Sequence, residues 1–264
     1  MESSIPYAIT FHTQIPPLGE LFRNNMMWNR MNRIKTKVKK LLGKVSHLKK
    51  SIKCKQVWYG NNYGGFYVCP EFLSENSIVY SFGIGEDITF DIAIIEQHNC
   101  SVFGFDPTPK SIIWVTQQQN LSSKFIFFEY GIAEKSGMID FYLPKNIEHV
   151  SGSIIKQDNV SEKQKVKVEM KSWEDIVNSL GHKQIEILKM DIEGAEYDLL
   201  DSILESSVPI NQILIEFHER FFNDGKIRSI DAIKKLKNHG FEIFGISDSF
   251  EEISFIKKSI LKVI

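Results

Sequence analysis

The chain has 264 residues, of which 42% are hydrophobic and 25% are charged, and its formal net charge is −1. This length and composition suit one globular α/β domain with an appendage. Three scattered cysteines, Cys54, Cys69 and Cys100, have no metal-ligand spacing and argue against a disulfide framework. Residues 1–20 lack a secretory leader pattern, and no apolar run reaches membrane-spanning length. We therefore expect a cytoplasmic location.

The charge is divided unevenly along the chain. Residues 1–55 hold 12 lysines and arginines against 2 acids, a net charge of +10, whereas the remainder holds 20 against 31, a net charge of −11. From Met27 to Ile52, apolar residues recur at alternating steps of three and four, which predicts an amphipathic helix with basic outer faces. We thus expect an N-terminal extension over residues 1–55 and a second domain over residues 56–264.

Two roles are open for the predicted basic helix over residues 27–52. The favoured interpretation is that its apolar stripe packs on the domain or on a second copy of the chain, as in a homo-oligomer. The alternative is peripheral contact with an anionic membrane surface. No nucleic-acid-binding module or interleaved aromatic pattern accompanies the positive charge, so we do not expect a nucleic-acid partner.

The rest of the chain alternates between short apolar runs and helical patterns. Residues 56–70 are rich in aromatic residues and glycine, and they predict either a lid beside the substrate or a turn between short strands. The predicted strands cover residues 77–82, 101–105, 124–128, 138–143, 165–170, 185–190, 210–217, 241–246 and 253–257. The predicted helices cover residues 87–98, 110–120, 172–180, 194–205 and 229–238. This order predicts a doubly wound, mostly parallel sheet that is closed by an antiparallel terminal hairpin.

The first predicted strand runs into two glycines, Gly83 and Gly85. Such a turn brings the backbone close to a ligand and directs a helix N-terminus at it. Asp106 follows Gly85 by 21 residues, at the end of the second predicted strand. This architecture uses a carboxylate about 20 residues after the glycines to bind ribose hydroxyls. The spacing therefore predicts a nucleoside-containing cofactor, although Asp106 is also placed to cap the next helix.

A second motif follows the predicted strand over residues 185–190. Asp191, Glu193 and Glu196 crowd one strand-to-helix junction, where like charges raise one another's pKa unless a cation or a helix dipole intervenes. We predict that Asp191 lies beside the cofactor and substrate. The alternative for this motif is helix capping by Glu193 with an exposed Glu196.

His218 ends the following strand and has the intrinsic pKa best suited to a base at neutral pH. We place it at the rim of the site as a candidate base, with a purely structural role as the alternative. Cysteine and histidine are not clustered with zinc-ligand spacing, so the sequence predicts no metal ligands. The closeness of the acids nevertheless leaves a divalent cation open.

Four segments carry a resemblance to a known family. They are SFGIGED at residues 81–87, Phe105-Asp106-Pro107, GIAEKSG at residues 131–137 and KMDIEGAE at residues 189–196. Together they resemble the FkbM-type branch of the class I S-adenosylmethionine-dependent methyltransferases, from about Trp58 to the C-terminus. The resemblance implies a Rossmann-like sheet of seven strands with a reversed last strand. It also implies S-adenosylmethionine (SAM) as the methyl donor and a hydroxyl on a sugar or natural product as the usual acceptor.

The resemblance also assigns roles to individual residues. Gly83 and Gly85 would line the methionine part of the cofactor, Asp106 would bind its ribose, and Asp191 would lie between donor and acceptor. Many members have an acid at the position of Ser81, so Glu86 or Asp87 is expected to contact the amino group instead. We include Asp87 in the predicted cofactor site, together with Ile132 as an adenine wall, for which a core position is the alternative.

We therefore expect a SAM-dependent O-methyltransferase that acts on a sugar or glycan hydroxyl. Asp191 or His218 would remove the proton of that hydroxyl. One alternative is an NAD-binding dehydrogenase, which is disfavoured because Ile88 stands where a third glycine is wanted. The other is a catalytically silent scaffold in which Ser81 marks the loss of the pocket.

Overall fold

The computed structural model describes Gly43, residues 45–144 and residues 160–262. The strands are β1 (Val57–Tyr59), β2 (Phe66–Val68), β3 (Ile78–Phe82), β4 (Ser101–Phe105), β5 (Phe125–Phe128), β6 (Gly131–Ile132), β7 (Gly137–Pro144), β8 (Val160–Lys171), β9 (Ile185–Met190), β10 (Ile210–Glu216), β11 (Phe241–Ile246) and β12 (Glu252–Lys257). The α-helices are α1 (Thr89–His98), α2 (Pro109–Gln117), α3 (Trp173–Leu180), α4 (Glu196–Leu204) and α5 (Gly225–Asn238). Short 3₁₀ helices cover Pro70–Phe72, Glu219–Phe221 and Ile260–Lys262.

Seven strands form the central sheet, in the order β11-β12-β10-β9-β3-β4-β5. Strands β3, β4, β5, β9 and β10 are parallel to their neighbours in this group, and β12 runs antiparallel between β10 and β11. The predicted Rossmann-like seven-stranded sheet with an antiparallel terminal hairpin is confirmed. The chain builds outwards from β3 to β5 and then returns to the other side of β3 with β9. The strand order therefore reverses between β3 and β9, where sheets of this kind bind their ligands.

Both faces of the sheet are covered, which explains why its central strands are almost continuously apolar. In β3, Tyr80 packs in one core with Trp173 of α3, and Val79 packs in the opposite core with Phe90 of α1. Side chains alternate between the two faces of a strand, so consecutive residues of β3 serve different cores. The helices on both faces hold the carboxyl ends of β3 and β9 in fixed positions.

Two smaller sheets flank the central one. Strands β6, β8 and β7 form a three-stranded sheet in that order, and β1 pairs with β2 in an antiparallel hairpin. The buried side chain of Gln212 in β10 bonds both the amide and the carbonyl of Cys69, 2.7 and 3.0 Å away, just after β2. These bonds fix the β1–β2 hairpin against the central sheet.

The predicted basic helix over residues 27–52 lies mainly outside the described residues, and its role stays a prediction. Its described end is not helical, which corrects the expectation for that part. Residues 45–47 form a turn, and the amides of Ser51 and Ile52 donate to the carbonyl of Ile243 in β11. Leu48 is buried in the core. The apolar spacing there belongs to a segment laid against an edge strand, whose free carbonyls compete with helix formation.

The division between residues 1–55 and 56–264 remains a prediction. Within the described ranges, no helix combines the length and the apolar character needed to cross a bilayer.

Candidate active site

A pocket of about 460 Å³ opens at the carboxyl ends of β3, β4 and β9. All six residues predicted to bind the cofactor lie on its wall: Gly83, Gly85, Asp87, Asp106, Ile132 and Asp191. The structure thus brings together residues that the chain separates by up to 108 positions. Their contacts with a cofactor stay predictions, whereas their common location is a property of the fold.

Gly83 forms the floor of the pocket, at a place where no other residue fits. Its φ is +80°, and a Cβ at this position would lie 1.6 Å from the carbonyl oxygen of Asp191. The Gly83 amide donates to the Phe105 carbonyl at 3.0 Å, and the Asp191 amide donates to the Phe82 carbonyl at 3.0 Å. The backbone pairing of the sheet therefore continues into the turns that form the site.

The carboxylate of Asp106 is held by the backbone. One of its oxygens accepts a bond from the Gly85 amide and the other from the Thr108 amide, both at 2.8 Å. Thr108 is the N-cap residue of α2, and Asp106 lies two positions before it, so its carboxylate fixes the start of this helix. Each carboxylate oxygen has a second lone pair available to a ligand hydroxyl. The structural role and the predicted ribose-binding role are therefore compatible.

Asp87 connects the glycine turn to the β1–β2 hairpin. Its carboxylate accepts bonds from the Thr89 amide at 2.8 Å and from the Asn61 side chain at 2.6 Å. The Asn61 side chain in turn accepts the amides of Tyr63 and Gly64, which lie on the pocket wall. Residues 56–70 were predicted to form either a lid beside the substrate or a turn between short strands. They form a turn between β1 and β2, and this turn is also part of the pocket wall. Glu86, the other candidate for the amino group, pairs with Lys110 at 3.1 Å.

An apolar wall faces this turn. Ile132 in β6 is buried, and Phe141 of β7 and Met170 of β8 lie beside it on the pocket. Sequence analysis did not select Phe141 or Met170. Their inward position depends on how β7 and β8 pair, and this pairing has no local signal in the sequence.

A buried acid, Asp91, lies beneath the glycine turn. It is not at the position of Ser81, where many members of the family have an acid. Asp91 of α1 is almost completely buried, and burial raises its pKa, while the charge of Lys189 and the nearby Ser81 hydroxyl oppose the rise. The Lys189 ammonium group donates to the Gly83 carbonyl at 3.2 Å. Neither Asp91 nor Lys189 was predicted to take part in the site. Together they support the turn from below.

The acidic motif after β9 is organised by Glu196. This side chain is fully buried, and its carboxylate accepts the amides of Gly194 and His218 at 2.9 and 3.0 Å. It also contacts the Nδ1 atom of His218 at 3.1 Å. The alternative of an exposed Glu196 is therefore wrong. Ala195 is the N-cap of α4, and Glu193 precedes it in a left-handed conformation with φ of +54°.

His218 lies behind the pocket wall, not at its rim. The side chain is 1% exposed, and its Nε2 atom is 3.4 Å from Glu193, 3.4 Å from Glu216 and 3.6 Å from Asp191. Burial lowers the pKa of His218, but the Glu196 bond and the surrounding negative charges outweigh this effect and raise its pKa to about 10. The predicted rim position is wrong, and the role of His218 as a base stays a prediction.

Strand order and a pocket at the reversal point together define a Rossmann-like fold. The chain belongs to the FkbM methyltransferase family, because the family model described as the Methyltransferase FkbM domain matches residues 77–243. This membership points to SAM as the cofactor of the pocket. The residues present fit such a cofactor, since a turn that excludes any Cβ, a fixed carboxylate and an apolar wall meet in one cavity.

Two curated relatives are similar to the chain. Probable methyltransferase-like protein 24 of Homo sapiens is 25% identical over 209 residues, which cover 74% of this chain and 50% of that protein. The 2-O-methyltransferase NoeI of Sinorhizobium fredii is 27% identical over 139 residues, which cover 48% of this chain and 57% of that protein. The chain thus spans about half the length of the curated relatives it matches.

A solved structure of the precorrin-6y C5,15-methyltransferase from Geobacter metallireducens aligns with a TM-score of 0.36 and 11% identity, over 70% of this chain and 80% of that one. A similarity this low supports no conclusion about the site.

Proposed function

We propose that the chain is a SAM-dependent O-methyltransferase that acts on a hydroxyl of a sugar or glycan. The observation that carries the proposal is the position of Asp191. This residue shares one pocket wall with the glycine turn and Asp106, and its side chain is 25% exposed. A carboxylate placed in this way is accessible to a hydroxyl that enters beside the cofactor. The relative that is a 2-O-methyltransferase supports oxygen as the acceptor atom.

Three parts of the wall would hold the cofactor. Gly83 and Gly85 would contact its methionine part, and Asp106 would bind its ribose hydroxyls. Ile132, with Phe141 and Met170 beside it, would cover the adenine ring. When bound, SAM supplies a methyl group that is already activated by a positively charged sulfur. The protein therefore needs mainly to orient the acceptor and to take up its proton.

Asp191 would perform both tasks. Its carboxylate would accept a hydrogen bond from the acceptor hydroxyl and hold the oxygen in line with the methyl group. As the new C–O bond forms, the hydroxyl proton would pass to Asp191, and the products would be the methyl ether and S-adenosylhomocysteine. His218 is too deeply buried for this role. It would position the acidic motif instead.

A comparison of Asp191→Asn with Asp231→Asn tests the proposal. Asp231 is an exposed aspartate on α5 and serves as the matched control. Calorimetry would measure SAM binding, and mass spectrometry would follow deuterated methyl groups onto a panel of oligosaccharides. We expect Asp191→Asn to bind SAM with nearly unchanged affinity but to transfer methyl groups about 10²-fold or more slowly. We expect the control to match the wild type.

Each part of the proposal has its own contradicting result. Undiminished transfer by Asp191→Asn would remove Asp191 from the mechanism. A wild-type protein that binds SAM but methylates no sugar hydroxyl would require another class of acceptor. A wild-type protein that does not bind SAM would support the silent scaffold.

A further inference from the structure

Three potential metal ligands converge behind the pocket wall. Asp191 follows β9, Glu193 lies in the turn before α4, and His218 follows β10, and one ligand atom from each lies within 4.8 Å of the others. Asp191 and Glu193 also line the pocket. The cluster is therefore half-buried and borders the site where an acceptor would bind.

His218 is the observation that distinguishes this cluster from an ordinary group of acids. The Nε2 atom is buried, points at the carboxylates of Asp191 and Glu193, and has no hydrogen-bond partner among the described residues. Its distances of 3.6 and 3.4 Å to these carboxylates exceed those of a normal hydrogen bond. Buried polar atoms without a hydrogen bond are uncommon in folded proteins, and a bound ion is one explanation for them.

The distances from Nε2 to the carboxylates match the spacing between neighbouring ligands of a metal ion. Zinc binds nitrogen and carboxylate oxygen at about 2.0–2.2 Å, and two corners of a tetrahedron of that radius lie about 3.3–3.6 Å apart. The Nε2 atom of His218 is 3.4 Å from Glu193, 3.4 Å from Glu216 and 3.6 Å from Asp191. An ion beside Nε2 would lie within reach of the carboxylates of Asp191 and Glu193, whose ligand atoms are within 4.8 Å of it and of each other.

The second ring nitrogen of His218, Nδ1, contacts a carboxylate, as is usual for a histidine that binds a metal ion. A histidine ligand normally donates its second ring N–H to a carboxylate, which fixes the ring and its tautomer. Here Nδ1 lies 3.1 Å from the Glu196 carboxylate, which is itself fully buried and held by two backbone amides. This arrangement leaves Nε2 as the free ligand atom.

From these observations we infer that Asp191, Glu193 and His218 form a binding site for one divalent first-row transition ion, with Glu216 as an adjacent third carboxylate. One imidazole with several carboxylates suits ions such as Mn²⁺ and Zn²⁺. The sequence alone predicted no metal ligands, because His218 joins the motif only through the pairing of β9 with β10.

The ion would have a defined use in the reaction, and this consequence rests on the proposed function. Bound at one carboxylate oxygen of Asp191, it would lie next to the acceptor hydroxyl and lower the pKa of that hydroxyl. The second carboxylate oxygen of Asp191 would remain available for the proton.

The test uses the purified full chain, freed of metal with a chelator and kept without SAM and acceptor. Free Mn²⁺ would be followed by electron paramagnetic resonance, and Zn²⁺ binding by calorimetry. We expect one ion per chain. The variant Glu193→Gln should bind about tenfold or more weakly, as should His218→Gln. Glu205→Gln, an exposed glutamate at the end of α4, should bind like the wild type.

Two results would overturn the inference. One is a wild-type chain that binds neither ion, and the other is unchanged affinity in both ligand variants, which would place the ion elsewhere. Since His218 is buried and its replacement can disturb folding, Glu193→Gln, with a side chain 19% exposed, decides the case, and circular dichroism would verify its fold. Ion binding is measured without any methyl transfer, so a failure here and a failure of the proposed function are separate results.

Discussion

Two groups of buried charged residues border Gly83, and they differ in how far their charges balance. Beneath the turn, Asp91 is accompanied by the opposite charge of Lys189. Behind the wall, His218 faces four carboxylates, those of Asp191, Glu193, Glu196 and Glu216. Arg220 contacts Glu216 at 3.3 Å from the solvent side, which still leaves negative charge in excess.

This difference in charge balance suggests a structural role for the first group and a chemical role for the second. A buried pair of opposite charges needs no further partner and is retained as part of the framework, because losing one member leaves the other uncompensated. An excess of one sign in a half-buried site favours an additional ion or proton, and such sites are often functional. On this basis we expect the Asp91–Lys189 group to support the glycine turn and the His218 group to act in the proposed reaction.

The largest effect is expected where the two groups meet, at Gly83. Its carbonyl accepts the Lys189 bond, and its Cα faces the carbonyl of Asp191. Gly83→Ala would place a methyl group 1.6 Å from that carbonyl oxygen and force the Gly83 and Asp191 backbones apart. We expect a loss of more than about 4 kcal/mol of unfolding free energy, measured by urea denaturation.

Gly181→Ala provides the matched control. Gly181 has a similar φ of +69°, but a Cβ there would meet nothing within 4 Å. Only the conformational cost should appear, about 1–2 kcal/mol. Equal losses in the two variants would show that the contact with Asp191 does not matter.

Removal of the cation beneath the turn should have the next largest effect. Lys189→Met leaves Asp91 buried without its opposing charge, and we expect a loss of about 3–5 kcal/mol. The pKa of Asp91 is already raised by burial, and loss of Lys189 raises it further. An acid with a raised native pKa contributes stability at low pH that is lost as the pH rises through that pKa. The variant should therefore be weakened more at about pH 8 than at about pH 5.

Denaturant titrations at the two pH values would check this result. Lys258→Met, at an exposed lysine, should change stability by about 0.5 kcal/mol or less. Adding Asp91→Asn to Lys189→Met should recover part of the loss. Strictly additive losses would contradict a coupled pair.

The smallest effect is expected at Glu216, in the His218 group, where negative charge is in excess. Burial and the charge of Asp191 raise the pKa of Glu216 well above its usual range, so its ionised form is disfavoured in the folded chain. Glu216→Gln should therefore raise the unfolding free energy, by about 1 kcal/mol or less, when a chelator is present. Thermal denaturation beside Glu205→Gln would measure the change. A clear loss of stability would show that His218 and Arg220 already compensate the negative charge of the four carboxylates.

Much of the fold could be predicted because its signals are local. Three strands have the bounds that the sequence predicts, β4, β9 and β11, since each is an apolar run that ends at turn or polar residues. The positions of Gly83, Gly85, Asp106 and Asp191 at the carboxyl ends of strands follow from the same pattern. Helix starts were less accurate, because α1 and α4 each begin two residues later than predicted.

The remainder depends on contacts between distant parts of the chain. Lys189 looks like a polar residue on an exposed strand face, yet it is buried because helices cover both faces of the sheet. The contact of Glu196 with His218 joins residues that are 22 positions apart. Residues 45–52 show a helical period but lie along β11, because pairing with an edge strand outweighs a short helix.

The backbone bonds around Gly83 have a consequence for when the site forms. The amides of Gly83 and Asp191 are bonded to carbonyls of neighbouring strands, and the Gly85 amide is bonded to Asp106. Amides of this kind exchange with deuterated solvent only when the surrounding structure opens. The floor of the pocket should thus be as protected as the strands themselves, and a ligand meets a surface that is already assembled.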